Sequence, residues 1–452
     1  MARPAAGAGR QAQIARLLLS ALAACAAGAC AQMGDPPGGP PRTTPAAMLR
    51  TVPESGAVVP DLHGAAVIQF DEVIDEAPGG SSPGGAITGL AQKIVLSPVG
   101  GNGYVKVSWH RDAIHVEPAE GWKRNRIYHL ELLPGIADLR RNVTKKGKTI
   151  VFSTDSAVPS AGLTGTALGW VEQRTLPQAV IRAAPLPDTV PYVTLADSIG
   201  NFRLSNIPPG RYLVWAIQDQ NGNRRRDRRE AFDTVTVAVD STASTLLWVF
   251  VHDTVGPRLK GVDPVDSVTF RVTFTQSLDP ARPPDTSALH VFALPDTTPV
   301  PVKALFRPAQ FDSIQARARA VADSLKRLQD SLKRLQDTTH RDTTARRDTS
   351  HARPARERPP TAPVRGGRPA SDTTPALDTM RVKKLLALRP VPYDRVVVQV
   401  PKPLTAGAKY LVRVHSTNLN GASADAQGVL VVPVPKPPAD TTKNKAPKPR
   451  SP

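Results

Sequence analysis

One pattern is written twice in this chain, and it limits the fold more than any other feature. Residues 256–279, "GPRLKGVDPVDSVTFRVTFTQSLD", echo residues 46–75, with Phe274 and Asp279 standing where Phe70 and Asp75 stand. Residues 406–423, "AGAKYLVRVHSTNLNGAS", echo 124–142, and Tyr410 matches Tyr128. A repeated supersecondary pattern marks a module more firmly than either copy does alone. Inside the first copy, "AAVIQFDEVID" (65–75), "KIVLSP" (93–98), "YVKVSWH" (104–110), "AIHVEP" (113–118), "IYHLELL" (127–133) and "TIVFST" (149–154) are separated by Pro, Gly, Asn and Asp turns. Short apolar strands at such regular spacing predict β-sandwiches.

The words themselves carry two resemblances. "TVPESGAVVPDLHGAAVIQFDEVID" and "NRIYHLELLPGIADLRRN" resemble the bacterial Ig-like domain of S-layer-type surface proteins, over residues 45–155. That family implies a structural or adhesive spacer. "GLTGTALGWVEQRTLPQAVIRA" and "ADSIGNFRLSNIPPGRYLVWAIQDQNGN" resemble the carboxypeptidase-regulatory-like, transthyretin-like sandwich, over 156–252. There Asp197, Gly200, Asn201 and Phe202 spell a turn entering a strand, and Ile207, Pro208, Pro209, Gly210 and Tyr212 a turn presenting a buried Tyr. Such modules are non-catalytic. Residues 253–432 form a second Ig-like domain, split by an insertion at 308–380. The expected fold class is therefore all-β: tandem Ig-like and transthyretin-like β-sandwiches, with a disordered, partly helical insertion in the last one.

In the insertion, "DSLKRLQDSLKRLQ" (323–336) is one heptad written twice. Leu325, Leu328, Leu332 and Leu335 line one helical stripe. Two to three turns with so narrow a seam are marginal alone. The expectation is a short solvated helix, with pairing to a partner chain or contact with a membrane surface as alternatives. The stretch after it lacks an apolar face, and the tail 433–452 is basic and Pro-rich; both are expected to be disordered.

The two cysteines, Cys25 and Cys30, sit in "ALAACAAGAC" behind "MARPAAGAGRQAQIAR" and a run of leucines. A short apolar run behind positive charges and ending in small residues has the layout of a secretory signal peptide. Leu22-Ala23-Ala24-Cys25 fits the lipoprotein word, in which a Leu and two small residues precede an acylated Cys. Cys30 lacks the Leu, yet "CAQMGDPPGGPPRTTP" after it resembles the mature start of bacterial Ig-like lipoproteins. One of the two is expected to be acylated, with 1–30 as the signal and 31–44 as a Pro/Gly-rich linker. Each buried acyl methylene contributes about 0.8 kcal/mol, so several chains on one Cys hold a protein on a membrane. The expected place is the cell envelope: an outer-membrane or cell-surface lipoprotein, with a periplasm-facing one as the alternative.

The formal net charge is +19. A basic chain invites a nucleic-acid reading, but no motif interleaves aromatics with the arginines and an exported protein rarely meets nucleic acid. No nucleic-acid partner is expected. The expected partners are the membrane, through the N-terminal lipid, and envelope polysaccharide or other envelope proteins.

One constellation carries metal chemistry. In "DQNGNRRRDRRE" (219–230), Asp219, Asn221, Asn223, Asp227 and Glu230 fall at positions 1, 3, 5, 9 and 12, where a calcium loop places its oxygens. Arg224 stands where that loop has Gly, and five arginines crowd it. The alternative is an Asn-Gly hairpin turn with Arg–carboxylate pairs on its rim. His110 and His115 flank a hairpin tip without an evident third ligand. No nucleophile elbow, HExxH or phosphate-cradling Gly loop is present, so no catalytic residue is expected. The leading expectation is a lipid-anchored envelope scaffold. The alternative is a carbohydrate- or peptidoglycan-binding module using some of Trp109, Trp122, Trp170, Trp215 and Trp248; an enzyme would need groups converging from separate loops.

Overall fold

The structure, a computed structural model, describes residues 43–75, 87–101, 103–155, 157–339 and 376–434. Residues 1–42, with Cys25 and Cys30 and the expected signal, the later part of the insertion and nearly all of the tail lie outside the described residues.

The six words each hold a strand, and one more precedes them: β1 (Met48–Val52), then β2 (Ala66–Phe70), β3 (Ile94–Ser97), β4 (Val105–His110), β5 (Ala113–Pro118), β6 (Ile127–Leu132) and β7 (Lys148–Ser153). They form two sheets, β1-β2-β5-β4 and β3-β6-β7. Successive side chains in a strand point to opposite faces. In β2 this sends Ala66, Ile68 and Phe70 inward, against Ile114, Val116, Leu130 and Phe152.

The second module is built from β8 (Ala161–Gly169), β9 (Arg174–Thr175), β10 (Val180–Pro185), β11 (Tyr192–Leu195), β12 (Asn201–Ile207), β13 (Gly210–Ile217), β14 (Phe232–Val239) and β15 (Thr242–Val249). Its sheets run β11-β10-β13-β14 and β12-β8-β15, with β9 on β8. The turn words do what their chemistry suggests. Asp197 Oδ1 accepts from the Ile199 and Asn201 amides at 3.0 and 2.8 Å. Gly200 sits at φ +79, where a Cβ would also stand 2.7 Å from the Ala167 carbonyl; only Gly fits there. Tyr212 is fully buried and its hydroxyl donates to the Pro208 carbonyl at 2.6 Å.

The third module holds β16 (Leu259–Pro264), β17 (Thr269–Leu278), β18 (Leu289–Ala293), β19 (Thr298–Val300), β20 (Ala304–Phe306), α1 (Pro308–Thr339), α2 (Ala376–Leu386), β21 (Tyr393–Gln399), β22 (Lys409–Thr417) and β23 (Ser423–Val431). Its sheets, β16-β17-β21-β20 and β19-β18-β22-β23, reproduce the order of the first module with β19 added at one edge. The likeness reaches single hydrogen bonds. Tyr128 Oη accepts the Lys123 amide at 2.8 Å, and Tyr410 Oη accepts the Thr405 amide at 3.0 Å. Asp138 Oδ1 accepts the amides of Arg140 and Asn142, as Asn418 Oδ1 accepts those of Asn420 and Ala422. The insertion occupies the β20–β21 connection, where the first module has only Arg111 and Asp112 between β4 and β5.

Helix α1 is a correction to the short helix expected at 323–336: it begins fifteen residues earlier and spans 32 residues. Its start is well specified. Pro308 takes the first helical position, where its missing N–H costs nothing. Gln310 Oε1 reaches back to the Arg307 amide at 3.1 Å, the return half of a capping box. Phe311 packs on Phe306, and the Arg307 guanidinium lies over the Tyr393 ring. Beyond this root, Ile314, Val321, Leu325, Leu328 and Leu332 continue one stripe and are all exposed.

The matching tyrosines give a direct check on the repeat. Tyr128→Phe and Tyr410→Phe should each lower stability by about 1–2 kcal/mol, because each leaves a loop amide without its acceptor. Urea denaturation of the two variants should show comparable losses.

Candidate functional site at the junction of the first two sandwiches

The sheet β3-β6-β7 is covered on both sides. Ile94, Leu96, Leu130 and Phe152 face the first core, while Val95, Ser97 and His129 on the opposite face are also buried. The second sandwich does the covering. Ser97 Oγ accepts the Val193 amide at 2.9 Å, and Thr194 Oγ1 donates to Glu131 Oε2 at 2.9 Å. Arg126 pairs with Asp188 at the rim. His129 Nε2 lies 3.3 Å from the Asn206 carbonyl, and the ring packs 5.0 Å from that of Tyr192. Burial holds the His129 pKa down to about 4, while burial pushes the Glu131 carboxyl up.

Loop 219–230 joins β13 to β14 beside this junction. Asp219 Oδ1 accepts the Gly222 amide and Oδ2 the Arg224 amide, at 2.8 and 2.7 Å. Asn221 and Asn223 accept the amides two residues on, at 3.0 and 2.8 Å. Asp227 Oδ2 receives the side-chain amides of both Asn221 and Asn223. Glu230 is buried, and its two oxygens take the amides of Gln220 and Asp227.

These residues are not arranged as a ready-made calcium cage. The ion needs six to eight oxygens turned inward at 2.3–2.6 Å. Here the three carboxylates are occupied by the loop's own N–H donors. Among the described residues no group of three or more His, Cys, Asp or Glu side chains could hold a metal ion; His110 and His115 share a sheet face but stand on a diagonal, His115 opposite Ser108. The calcium expectation for Asp219, Asn221, Asn223, Asp227 and Glu230 thus meets no ready-made cage here: the same residue types close the loop as Asx turns. The rim pairs fail too, since no ion pair among the described residues joins a loop arginine to a carboxylate.

Arg224, the residue that breaks the calcium spacing, has a different task. At φ +56 it turns out of the loop, and its guanidinium donates to the Ile94 and Gln92 carbonyls of the first sandwich, both at 2.5 Å. The Gly222 carbonyl accepts the Ile87 amide at 3.1 Å beside it. Burial lowers the Arg224 pKa to about 10, against the pull of Glu131 and Asp219, so it stays charged at neutral pH. The loop is a clasp between modules. Sequence reasoning missed it because nothing near Arg224 names its acceptors, which lie 130 and 132 residues away. The one signal was the Arg standing where a calcium loop needs Gly.

The second junction is held differently. Arg389 lies over the Trp170 and Trp248 rings, at 5.3 and 5.2 Å from their centroids. Trp170 Nε1 donates to the Pro390 carbonyl at 3.0 Å, and Leu385 and Leu386 of α2 pack on the same cluster. Asn418 Nδ2 ties the Asp253 and Val255 carbonyls. Two of the tryptophans considered for sugar binding are thus interior to this junction.

With these geometries in hand, the chain can be set beside known proteins. Residues 42–154 match the family model of the bacterial Ig-like domain. The first sandwich is Ig-like. No curated protein matches the chain. Among solved structures, BcpA, the major pilin subunit of Bacillus cereus, is 11% identical, with 44% of this chain and 68% of that one covered at a TM-score of 0.17. The group B streptococcus pilus 2b backbone protein is 9% identical, with 46% and 95% covered at a TM-score of 0.15. Surface layer protein SbsC, domains 1–6, is 9% identical, with 87% and 55% covered at a TM-score of 0.16. At such weak superposition none of the three bears on this chain's role.

The clasp predicts that Arg224→Ala costs about 2–3 kcal/mol, two charge-assisted hydrogen bonds being lost with their acceptors left behind. Adding calcium or chelator should leave the melting temperature of the wild type unchanged. A true calcium site at a hundredfold excess of ion would instead add about 2.7 kcal/mol. Differential scanning calorimetry reads both.

His129 predicts an acid sensitivity with a defined sign. Its folded pKa, about 4, lies below the ordinary 6.5, so the unfolded chain takes up the proton first. The stability tied to neutral His129 is complete above pH 6.5, falls as the pH drops, and is gone below about 4. The full span is about 3 kcal/mol. Glu131 acts with the opposite sign: with its pKa raised, its contribution is present below its unfolded value and lost as pH rises. Denaturation midpoints between pH 7 and 4 should fall more steeply for wild type than for His129→Leu.

Proposed function

We propose that this chain is a cell-envelope spacer, tethered through an acylated Cys25 or Cys30, that holds its surfaces at a fixed attitude in a structural or adhesive role without catalysis. The observation that supports this is the construction of the two junctions. Beads on a string would need only flexible linkers. Here each boundary carries buried contacts: Arg224, Ser97 and His129 at the first, and Arg389, Trp170 and Trp248 at the second. Inter-domain interfaces within a chain default to mobility unless they are extensive, so such investment favours a part that must stay stiff. An acyl tether supplies the anchor such a spacer needs, and no helix among the described residues is long and apolar enough to cross a membrane. A second sandwich of carboxypeptidase-regulatory-like type fits the same role, since its turn words serve folding.

Two measurements test this. Labelled palmitate should be incorporated into the wild type and lost in one of Cys25→Ala and Cys30→Ala; no label in the wild type overturns the anchor. Small-angle scattering should report a single narrow distribution of dimensions for the wild type, broadened in the double variant Arg224→Ala/Arg389→Ala. A wild type already as broad as the double variant would overturn the stiff spacer.

A further inference from the structure

Beside the clasp, on the outer face of the β10–β13 pair, lies an open cleft of about 470 Å³, within the 300–1,000 Å³ usual for ligand pockets. Its floor is Trp215, half-buried, with Arg182 directly opposite it on the neighbouring strand. Arg225 and Arg226 enter from loop 219–230, and Gly101 of the first sandwich and Pro191 close the rim.

The charge here is one-sided. Among the described residues no carboxylate lines the cleft; Asp188, next to its rim, is committed to Arg126. Among the described residues Arg182 donates only to the Arg224 carbonyl, at 3.1 Å, and Arg226 stacks on Phe232. No ion pair among the described residues reaches any of the three. Burial and the neighbouring charge of Arg225 both lower the Arg182 pKa. Like charges held together on a fixed frame repel one another until an anion arrives, and guanidinium forks match the oxygens of carboxylate and phosphate. A flat aromatic beside them adds an apolar face with room for a ring. The Arg224 clasp fixes the loop that carries two of the arginines, so little ordering is left to be done on binding.

We infer that this cleft binds an acidic sugar, a pyranose ring bearing a carboxylate or a phosphate. The ring lies on Trp215 and its anionic group is taken by Arg182 and Arg225. The site is independent of the spacer role and would give that spacer a specific hold on an acidic envelope glycan.

The test titrates the full chain with trigalacturonate, with neutral maltotriose and with inorganic phosphate, following tryptophan fluorescence and calorimetry. Trigalacturonate should bind saturably and maltotriose should not. Arg182→Met and Arg225→Met should each weaken binding by about tenfold, the loss of one charged contact. Trp215→Phe should weaken it as well, with all three variants melting near the wild type. Equal binding by wild type and both arginine variants would reduce the effect to the general charge of the chain and overturn the site. So would equal affinity for maltotriose. Phosphate binding that needs the arginines but is indifferent to Trp215→Phe, with no gain for the trisaccharide, would overturn the sugar assignment.

Discussion

A three-stranded sheet buried on both faces is the constraint from which the rest of the arrangement follows. β3, β6 and β7 pack Ile94, Leu96 and Leu130 into the first core and turn Val95, Ser97 and His129 toward the second sandwich. Taken alone, the first module would expose that outer face, with Val95 and the His129 imidazole uncovered and the Gln92 and Ile94 carbonyls left to water. Its stability is therefore partly a property of its neighbour. Burying a polar group is tolerable only where it finds a partner, and the partners here, Val193, Thr194, Asn206 and Arg224, all belong to the second module.

That dependence explains why loop 219–230 is built as it is. A long connection between β13 and β14 could wander; this one is cross-braced by Asp219, Asp227 and Glu230 accepting its own amides. The bracing holds Arg224 in a left-handed backbone conformation and aims it outward. It also leaves Arg225 and Arg226 over the open face of the sheet with no ion-pair partner among the described residues, so one local framework accounts for both the clasp and the cationic cleft.

Much of the fold was legible because alternation and turn chemistry are local. Phe70 and Phe274, Tyr128 and Tyr410, and the Asp197–Phe202 turn occupy in space the roles their letters suggest. The helix was legible only in part. The duplicated heptad stands out, whereas Ile314 and Val321 are diluted among Ala, Arg and Gln, and the capping by Pro308 and Gln310 is easily overlooked. The site was ambiguous in sequence because Asp and Asn at alternate positions serve two chemistries equally well, ligating a cation or capping a turn. What separates them is the direction in which the oxygens point, and sequence does not carry direction. Partners such as Gln92 for Arg224 or Pro390 for Trp170 are set by how modules dock, which no local pattern encodes.

The insertion in the third sandwich has a consequence for how such a chain can change over time. Strands β20 and β21 keep their register, Ala304 with Gln399 and Phe306 with Val397, although everything between them is additional. The outgoing limb can lengthen or shorten without disturbing a single cross-strand partner. The returning limb has no such freedom, because α2 and Arg389 are wedged against Trp170 and Trp248 of the preceding module. New sequence is thus admitted at one end of this corner and policed at the other.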